Sequence, residues 1–395
     1  MFTPVRIIGE LHAVGGDGAV YYGDVRELGS ALLYDYRQKA RVVYIDPPFN
    51  TGGSFEYRRG ARRLAYVDSM PKYEYLAFMR GAAELSRELL REDGTFFIHI
   101  DCRMSAYIRV MLDEVFGEDA FTNEIVWTYR SGGRTKNSFS NKHDVILMYR
   151  RSPSAYFDIS AVGVPRGAKR KNHMKRGVDE SGRVFFSIRT NGKEYRYYED
   201  DRVFPSDVWD DLEHLNQRDP ERTGFLTQKP EALLRRIILS CSEPSDTVID
   251  LFGGSGTTAF TAAKLGRSFV TSDNSPVALA IIRRRLLERG FKLSLYEDAC
   301  PLSFKYSCAA DAKMPELDKY FLIGQEDGRL VLKLKRLSEE EIPYYLAYGL
   351  EKGGVFHAQG YVTHPTAGKS VRLAKGQTLH LVDGEFEQYF IRYDG

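Results

Sequence analysis

The sequence predicts an α/β protein built on a doubly wound, mostly parallel sheet, and three observations predict it. Val42-Val43-Tyr44-Ile45 is a short apolar run that stops at Asp46, the pattern of a strand buried on both faces. Residues 246–265 read as strand, glycine turn and helix: Val248, Ile249 and Leu251 form the strand, Gly253, Gly254 and Gly256 the turn, and Thr257 onward the helix. A second short strand follows at Ser268-Phe269-Val270-Thr271 and runs to Asp273. Strands alternating with helices in this way pack as a sheet covered on both faces.

At 395 residues the chain exceeds one ordinary core. Its composition divides it into four stretches. Residues 1–150 and 226–295 carry the two halves of the sheet. Residues 151–225 are a polar, poorly periodic insertion, and residues 296–395 a small α+β appendage. Hydrophobic residues make up 43% and charged residues 28%, as in an ordinary globular protein, and the net charge of +2 leaves any anionic partner to local basic patches. The four cysteines, Cys102, Cys241, Cys300 and Cys308, form no Cys-x-x-Cys pair, so no zinc site is expected and a reducing compartment fits. There is no signal-peptide pattern at Met1–Arg6 and no apolar run of about 18 residues. The expected location is the cytoplasm.

The loop Asp46-Pro47-Pro48-Phe49 ends the first strand. Asp46 offers a carboxylate to an exocyclic amine, and the prolines restrict the backbone so that the Pro47 carbonyl can be aimed as a second acceptor. Phe49 offers a flat face for stacking. Together they read as a pocket for an amino-bearing base that has left its helix. Taken alone, the same letters also describe a strand ending in a turn.

The glycine loop faces the N-terminus of its own helix, where free N–H groups attract negative charge. Asp273 lies about 20 residues beyond it, the offset at which an acid takes a ribose diol. An adenosine-containing ligand follows. The loop is not a P-loop, but Ala259 at the third glycine place leaves a dinucleotide, and so a nicotinamide-dependent dehydrogenase, open. Between the two motifs, Arg166, Lys169, Arg170, Lys171, Lys175 and Arg176 crowd one segment. Tyr195, Tyr197 and Tyr198 interleave with Arg189, Lys193 and Arg196 nearby. Basic charge with aromatics suits nucleic-acid contact, although a charge run alone describes a solvated loop. Ser131–Asn137, with Arg134 and Lys136, reads as a loop that closes over the same ligand. His99 and His143 read as packed core histidines. In the appendage, Arg329–Lys335, Leu379–Val382 and Gln388–Tyr393 alternate like half-buried strands, with turns at Lys375-Gly376 and Asp383-Gly384, and Ser338–Ile342 reads as a helix start.

Asp46-Pro47-Pro48-Phe49 and Asp250-Leu251-Phe252-Gly253-Gly254-Ser255-Gly256 together resemble the catalytic and cofactor motifs of the S-adenosylmethionine-dependent DNA amino-methyltransferases. The catalytic loop precedes the cofactor loop here, as in the permuted β group, which includes the modification subunits of type III restriction systems. Gly23-Asp24, Tyr75–Met79, Leu89–Asp101, Lys142–Tyr149 and Thr227-Gln228-Lys229-Pro230 extend the resemblance to roughly residues 15–290. The resemblance implies a Rossmann-like fold of the methyltransferase type, with residues 1–150 as the catalytic half, 151–225 as the target-recognition region and 226–295 as the cofactor half. It implies S-adenosylmethionine as cofactor, double-stranded DNA as partner and no metal. A homodimer and a cognate restriction endonuclease are compatible with it.

By the same resemblance Asp46, Pro47, Pro48 and Phe49 are catalytic. Asp24, Asp250, Phe252, Gly253, Gly254, Ser255, Gly256, Thr257, Thr258, Asp273 and Asn274 hold the cofactor. Lys229 reads first as a solvated lysine at a helix start, with the cofactor's carboxylate as its second reading. Plain core packing is the second reading of Phe252. Asp in the first catalytic place points to adenine N6, where Ser is usual for cytosine N4, which remains the alternative. Phe49 departs from the common Tyr and keeps the stacking face without the hydroxyl.

Overall fold

The computed structural model describes residues 5–9, 18–58, 62–130, 135–166, 174–216, 218–288, 294–296, 304–306, 315–337, 343–352, 355–362, 365–382 and 388–393. Its centre is a sheet whose strands run, side by side, Phe121–Thr128, His143–Arg150, Leu90–Asp101, Ala40–Ile45, Thr247–Asp250, Ser268–Asp273 and Gly18–Tyr22. From Leu90–Asp101 to Gly18–Tyr22 every neighbouring pair is parallel, whereas His143–Arg150 is antiparallel to both of its neighbours.

The sheet is buried on both faces, as the apolar strand at Val42–Ile45 predicts: these four residues are 0–1% exposed. One face is covered by Leu233, Leu234, Ile237 and Ile238 of the helix Glu231–Cys241, with Ala259, Ala262 and Ala263 of Thr257–Lys264. The other is covered by Tyr75, Met79, Ala82, Ala83 and Leu89 of Lys72–Leu89, with Leu28 and Leu32 of Val25–Tyr36. The three- and four-residue spacing of these positions puts them on one stripe of each helix. Each fully buried leucine or isoleucine contributes about 1.5–3 kcal/mol.

The connections wind in opposite senses from the middle. Ala40–Ile45 leads through Lys72–Leu89 to the strand on one side, and Thr247–Asp250 leads through Thr257–Lys264 to the strand on the other. The two central strands, with Val42 opposite Val248 and Val43 opposite Ile249, form the switch point. A crevice opens beyond the carboxyl ends of such strands. Gly18–Tyr22, although early in the chain, lies against Ser268–Asp273 and so sits in space with the cofactor half.

The insertion is more regular than its polar sequence predicts. Lys175–Val178, Val184–Thr190 and Lys193–Tyr198 form a three-stranded antiparallel sheet. The hairpin between the last two turns on Asn191 and Gly192, both with positive φ (51° and 77°), the geometry for which Asn-Gly is the preferred pair. Beyond Gly18–Tyr22 the central sheet continues, mostly antiparallel, through Val5–Gly9, Ser294–Tyr296, Val355–Val362, Tyr345–Lys352, Gln377–Val382, Gln388–Arg392 and Phe304–Tyr306. A second sheet of Phe321–Glu326, Arg329–Leu334 and Ser370–Leu373 shares an apolar core with it, where Leu330, Leu332 and Leu334 meet Leu346, Leu379 and Leu381. One short helix, Pro315–Tyr320, is described in this β-rich appendage. The predicted helix start at Ser338–Ile342, the Asp383-Gly384 turn, Cys300 and Cys308 lie outside the described residues. Among the described residues no helix is long and apolar enough to cross a membrane.

Candidate active site

Asp46-Pro47-Pro48-Phe49-Asn50 leaves the end of Ala40–Ile45 and is strapped down on both sides. The Asn50 side chain donates to the Met70 carbonyl (2.9 Å) and accepts from the Met70 N–H (2.8 Å). The Tyr75 hydroxyl donates to the Pro48 carbonyl (2.8 Å). Asn50 itself has a φ of 55°, a left-handed conformation that asparagine tolerates better than most residues. Neither Asn50 nor Tyr75 had a role in the sequence reading.

The glycine loop faces Asp46 from the neighbouring strand. Gly253 packs so closely on Ser268–Asp273 that a Cβ would lie 2.3 Å from the Thr271 Oγ1. Gly254 and Gly256 are in the left-handed region (φ 50° and 74°), and Gly256 caps the helix Thr257–Lys264. The Gly254 N–H donates to Asp273 Oδ2 (2.7 Å) and the Ser275 N–H to Oδ1 (2.8 Å), so Asp273 ties the loop to its own strand.

Both loops open on one cavity of about 370 Å³. It is lined by Asp46 and Pro48 on one side. On the other lie Asp250, Phe252, Gly253, Gly254, Ser255, Thr257, Thr258, Asp273 and Asn274, and Asp24 and Lys229 complete the wall. Gly256 stands behind, where a Cβ would meet Ile282 at 2.8 Å. Phe252 both lines the cavity and packs at a right angle to Phe78, with ring centroids 5.8 Å apart.

Electrostatics mark the wall as unusual. Burial pushes the Asp250 carboxyl up to about 7 and Asp273 to about 6. Asp24 caps the helix Val25–Tyr36 and takes Arg26 as a bidentate partner (2.8 and 2.6 Å), which holds its carboxyl below the usual range.

Lys229 differs from its first reading. It is 8% exposed rather than solvated, and its Nζ lies 2.7 and 2.6 Å from the two oxygens of Asp46. Sequence distance hides this pair, because Lys229 arrives from the far side of the switch point.

Beside Asp46, Phe49 stacks on His99, which is fully buried as expected of a core histidine. The His99 Nδ1 meets the Tyr44 hydroxyl (3.0 Å) and its Nε2 meets Asp144 (3.2 Å). Burial holds the imidazole below its ordinary pKa and so favours its neutral form. Trp127 packs edge-on to His99 and stacks on His214 at 4.1 Å. Tyr129 donates to Asp144 (3.3 Å). Asp144, Trp127, Tyr129 and His214 carry no local signal in the sequence: Asp144 meets Trp127 when Phe121–Thr128 and His143–Arg150 pair, and His214 arrives from the chain that follows Val208–Trp209.

Of the basic residues, Arg166 lies over the Tyr197 ring (4.8 Å), Lys175 and Arg176 are exposed on the edge strand of the inserted sheet, and Lys136 is exposed in the 135–140 loop. Arg134, Lys169, Arg170 and Lys171 lie outside the described residues.

The segment that holds the cavity is similar to known proteins. A family model described as DNA methylase matches residues 40–284. The Type II methyltransferase M.EcaI of Enterobacter cloacae is 29% identical over 294 residues, covering 63% of this chain and 65% of its own length. The chain therefore spans just under two thirds of that relative. The Type II methyltransferase M.ScaI of Streptomyces caespitosus is 33% identical over 279 residues, covering 67% of this chain and 80% of its own. Among solved structures, the cytosine-N4-specific PvuII DNA methyltransferase aligns over 71% of this chain and 90% of its own at 16% identity, with a TM-score of 0.48. With both motifs of the cavity inside the matched segment, the chain belongs to the N6/N4 DNA methylase family.

Proposed function

We propose that the protein is a site-specific DNA methyltransferase that uses S-adenosylmethionine to methylate the N6 amine of an adenine turned out of the duplex. One observation carries the reading. Asp46 and Pro48 of the first loop and Gly253, Gly254 and Ser255 of the glycine loop, some two hundred residues apart in sequence, line the same cavity at the ends of adjacent parallel strands.

The residues of the cavity fit the cofactor. Its volume is in the range of small-molecule sites. Its wall combines acids for a cationic ligand, with Asp250 buried among them, aromatic side chains for a flat base and a helix N-terminus for a carboxylate. In this reading Asp273 takes the ribose hydroxyls, Asp24 and Phe252 the adenine, and Asp250, the Gly253–Gly256 turn, Thr257, Thr258 and Asn274 the remainder. When bound, S-adenosylmethionine supplies an electrophilic methyl group on a good leaving group.

The amine of adenine is a poor nucleophile because its lone pair is delocalised into the ring. Asp46 and the Pro47 carbonyl accept its two N–H bonds and favour a pyramidal nitrogen with a directed lone pair. Phe49 stacks on the base. Most of the catalysis is positioning, and Asp46 passes the released proton to water. The inserted sheet, with Arg166, Lys175 and Arg176, and the loop bearing Lys136 grip the DNA.

The test is methylation of genomic DNA by the purified protein, followed by single-molecule sequencing. Modified adenines confined to one motif support the reading. Modified cytosines, or no modification, overturn it.

A further inference from the structure

The ammonium of Lys229 sits on both oxygens of Asp46, at 2.7 and 2.6 Å, with the lysine side chain 8% and the aspartate side chain 18% exposed. We propose that Lys229 is a positioning residue for methyl transfer, fixing the Asp46 carboxylate in the orientation from which it receives the target amine. This rests on the reading of Asp46 as the amine's acceptor.

Four features support it. The cation is built into the fold rather than left on a flexible stem at the surface. Its own carbonyl accepts a hydrogen bond from the Thr257 hydroxyl (3.1 Å) at the start of the cofactor-side helix. The preceding Gln228 is buried, accepts from the N–H and hydroxyl of Thr223 (2.8 and 2.9 Å), and donates to the Glu221 carbonyl (2.7 Å). The turn that delivers Lys229 is thus locked from within.

Second, the hydrogen-bond inventory leaves room for the substrate. An ionised carboxylate has about four lone-pair sites. Lys229 takes one on each oxygen, so an acceptor site remains on each for the amine. Third, an ammonium has three N–H donors and Asp46 uses two, so Lys229 is committed first to the catalytic loop. Fourth, the same Nζ lies 5.0 Å from the Phe49 ring centroid, so one cation contacts both the acid and the stacking ring.

Lys229 also joins two parts of the chain. It belongs to the cofactor side of the switch point and Asp46 to the catalytic side, and Thr257, which holds the Lys229 carbonyl, lines the shared cavity. The pair therefore sets the distance between the acid and the cofactor wall. A misplacement of about 1 Å at a reacting centre can cost about 100-fold in rate.

The experiment compares the wild type with Lys229→Met, Lys229→Arg, Asp46→Asn and the Asp46→Asn, Lys229→Met double variant. Labelled methyl transfer to native genomic DNA, S-adenosylmethionine affinity by calorimetry and melting temperature are measured for each. Lys229→Met is expected to lower kcat about 100-fold while changing cofactor affinity less than about fivefold, and Lys229→Arg to recover about a tenth of the lost rate or more. The melting temperatures are expected to be non-additive, because the double variant no longer buries an unpaired charge. Cofactor affinity that falls as far as the rate would overturn the proposal and make Lys229 a cofactor ligand. An unchanged rate, or additive melting temperatures, would overturn it as well. A wild-type protein that transfers no methyl group sinks the reading of Asp46, and this inference with it. Wild-type activity lost in Asp46→Asn but kept in Lys229→Met sinks this inference alone.

Discussion

Phe49 and His99 lie face to face, with ring centroids 5.8 Å apart and planes 20° apart. His99 is locked by Tyr44 and Asp144, so the ring that holds one face of Phe49 is itself fixed. His99→Leu keeps the apolar volume but removes the stack and both hydrogen bonds. It is expected to lower methyl transfer roughly 10- to 100-fold, with cofactor affinity unchanged. Equal rates in wild type and variant would remove His99 from the working site.

Asp46→Ala removes the acceptor without touching the glycine loop. Methyl transfer is expected to vanish, while calorimetry shows cofactor binding within about threefold of wild type. Parallel loss of both activities would contradict the role given to Asp46.

The buried acids give a pH dependence whose sign is fixed. Burial raises the folded-state values of Asp250 and Asp273 to about 7 and about 6, against 3.8 in the unfolded chain. Their protonated forms stabilise the fold fully below the unfolded value, and that contribution is lost as pH rises through about 6 and 7. Asp250→Asn is therefore expected to raise the melting temperature at about pH 8 and to leave it nearly unchanged at about pH 4. In the wild type, affinity for the cationic cofactor is expected to rise over the same interval as the carboxylates ionise. A flat affinity profile between those limits would contradict the assignment.

Gly253→Ala places a methyl group 2.3 Å from Thr271 Oγ1 and 3.3 Å from the Ser272 carbonyl. The loop must shift, and the Asp273 hydrogen bond to Gly254 shifts with it. Cofactor affinity is expected to drop by about tenfold or more, read by calorimetry. Gly324→Ala, at an exposed strand glycine with no neighbour within 4 Å, serves as a comparison whose cofactor affinity stays at the wild-type level.

Lys175→Ala and Arg176→Ala test the inserted sheet. Each is expected to weaken DNA binding across sequences and to reduce the slope of log K against log salt by about one. Cofactor affinity stays constant. An unchanged slope in both variants would move the DNA contact elsewhere.

The sequence made the central strands, the glycine turn and both loops legible because each obeys a local rule: a buried strand, a left-handed turn, a helix start. Asp273 was found by its offset alone. Lys229 was read as solvated because nothing local reveals a partner on the other half of the sheet. Asp144, Trp127, Tyr129 and His214 carry no local signal for the same reason, as they come together from two paired strands and a third, later segment. The inserted sheet is a different case. Its Asn191-Gly192 turn is a local hairpin signal, but the lysines and arginines around it are equally the mark of a solvated loop. The appendage strand Arg329–Leu334 was read from its alternation, and Leu330, Leu332 and Leu334 do face the core.

The adjacency of Ala40–Ile45 and Thr247–Asp250 has a consequence for how the chain is made. A ribosome adds roughly 5–20 residues per second, so Asp46 emerges on the order of ten to forty seconds before its neighbouring strand. During that interval an apolar strand edge is open on the nascent chain, which is the kind of edge that pairs with another copy. Expression of a fragment ending before residue 247 should therefore yield aggregates, and co-expression with the missing segment should rescue solubility and assemble the methyl-transfer site in one step.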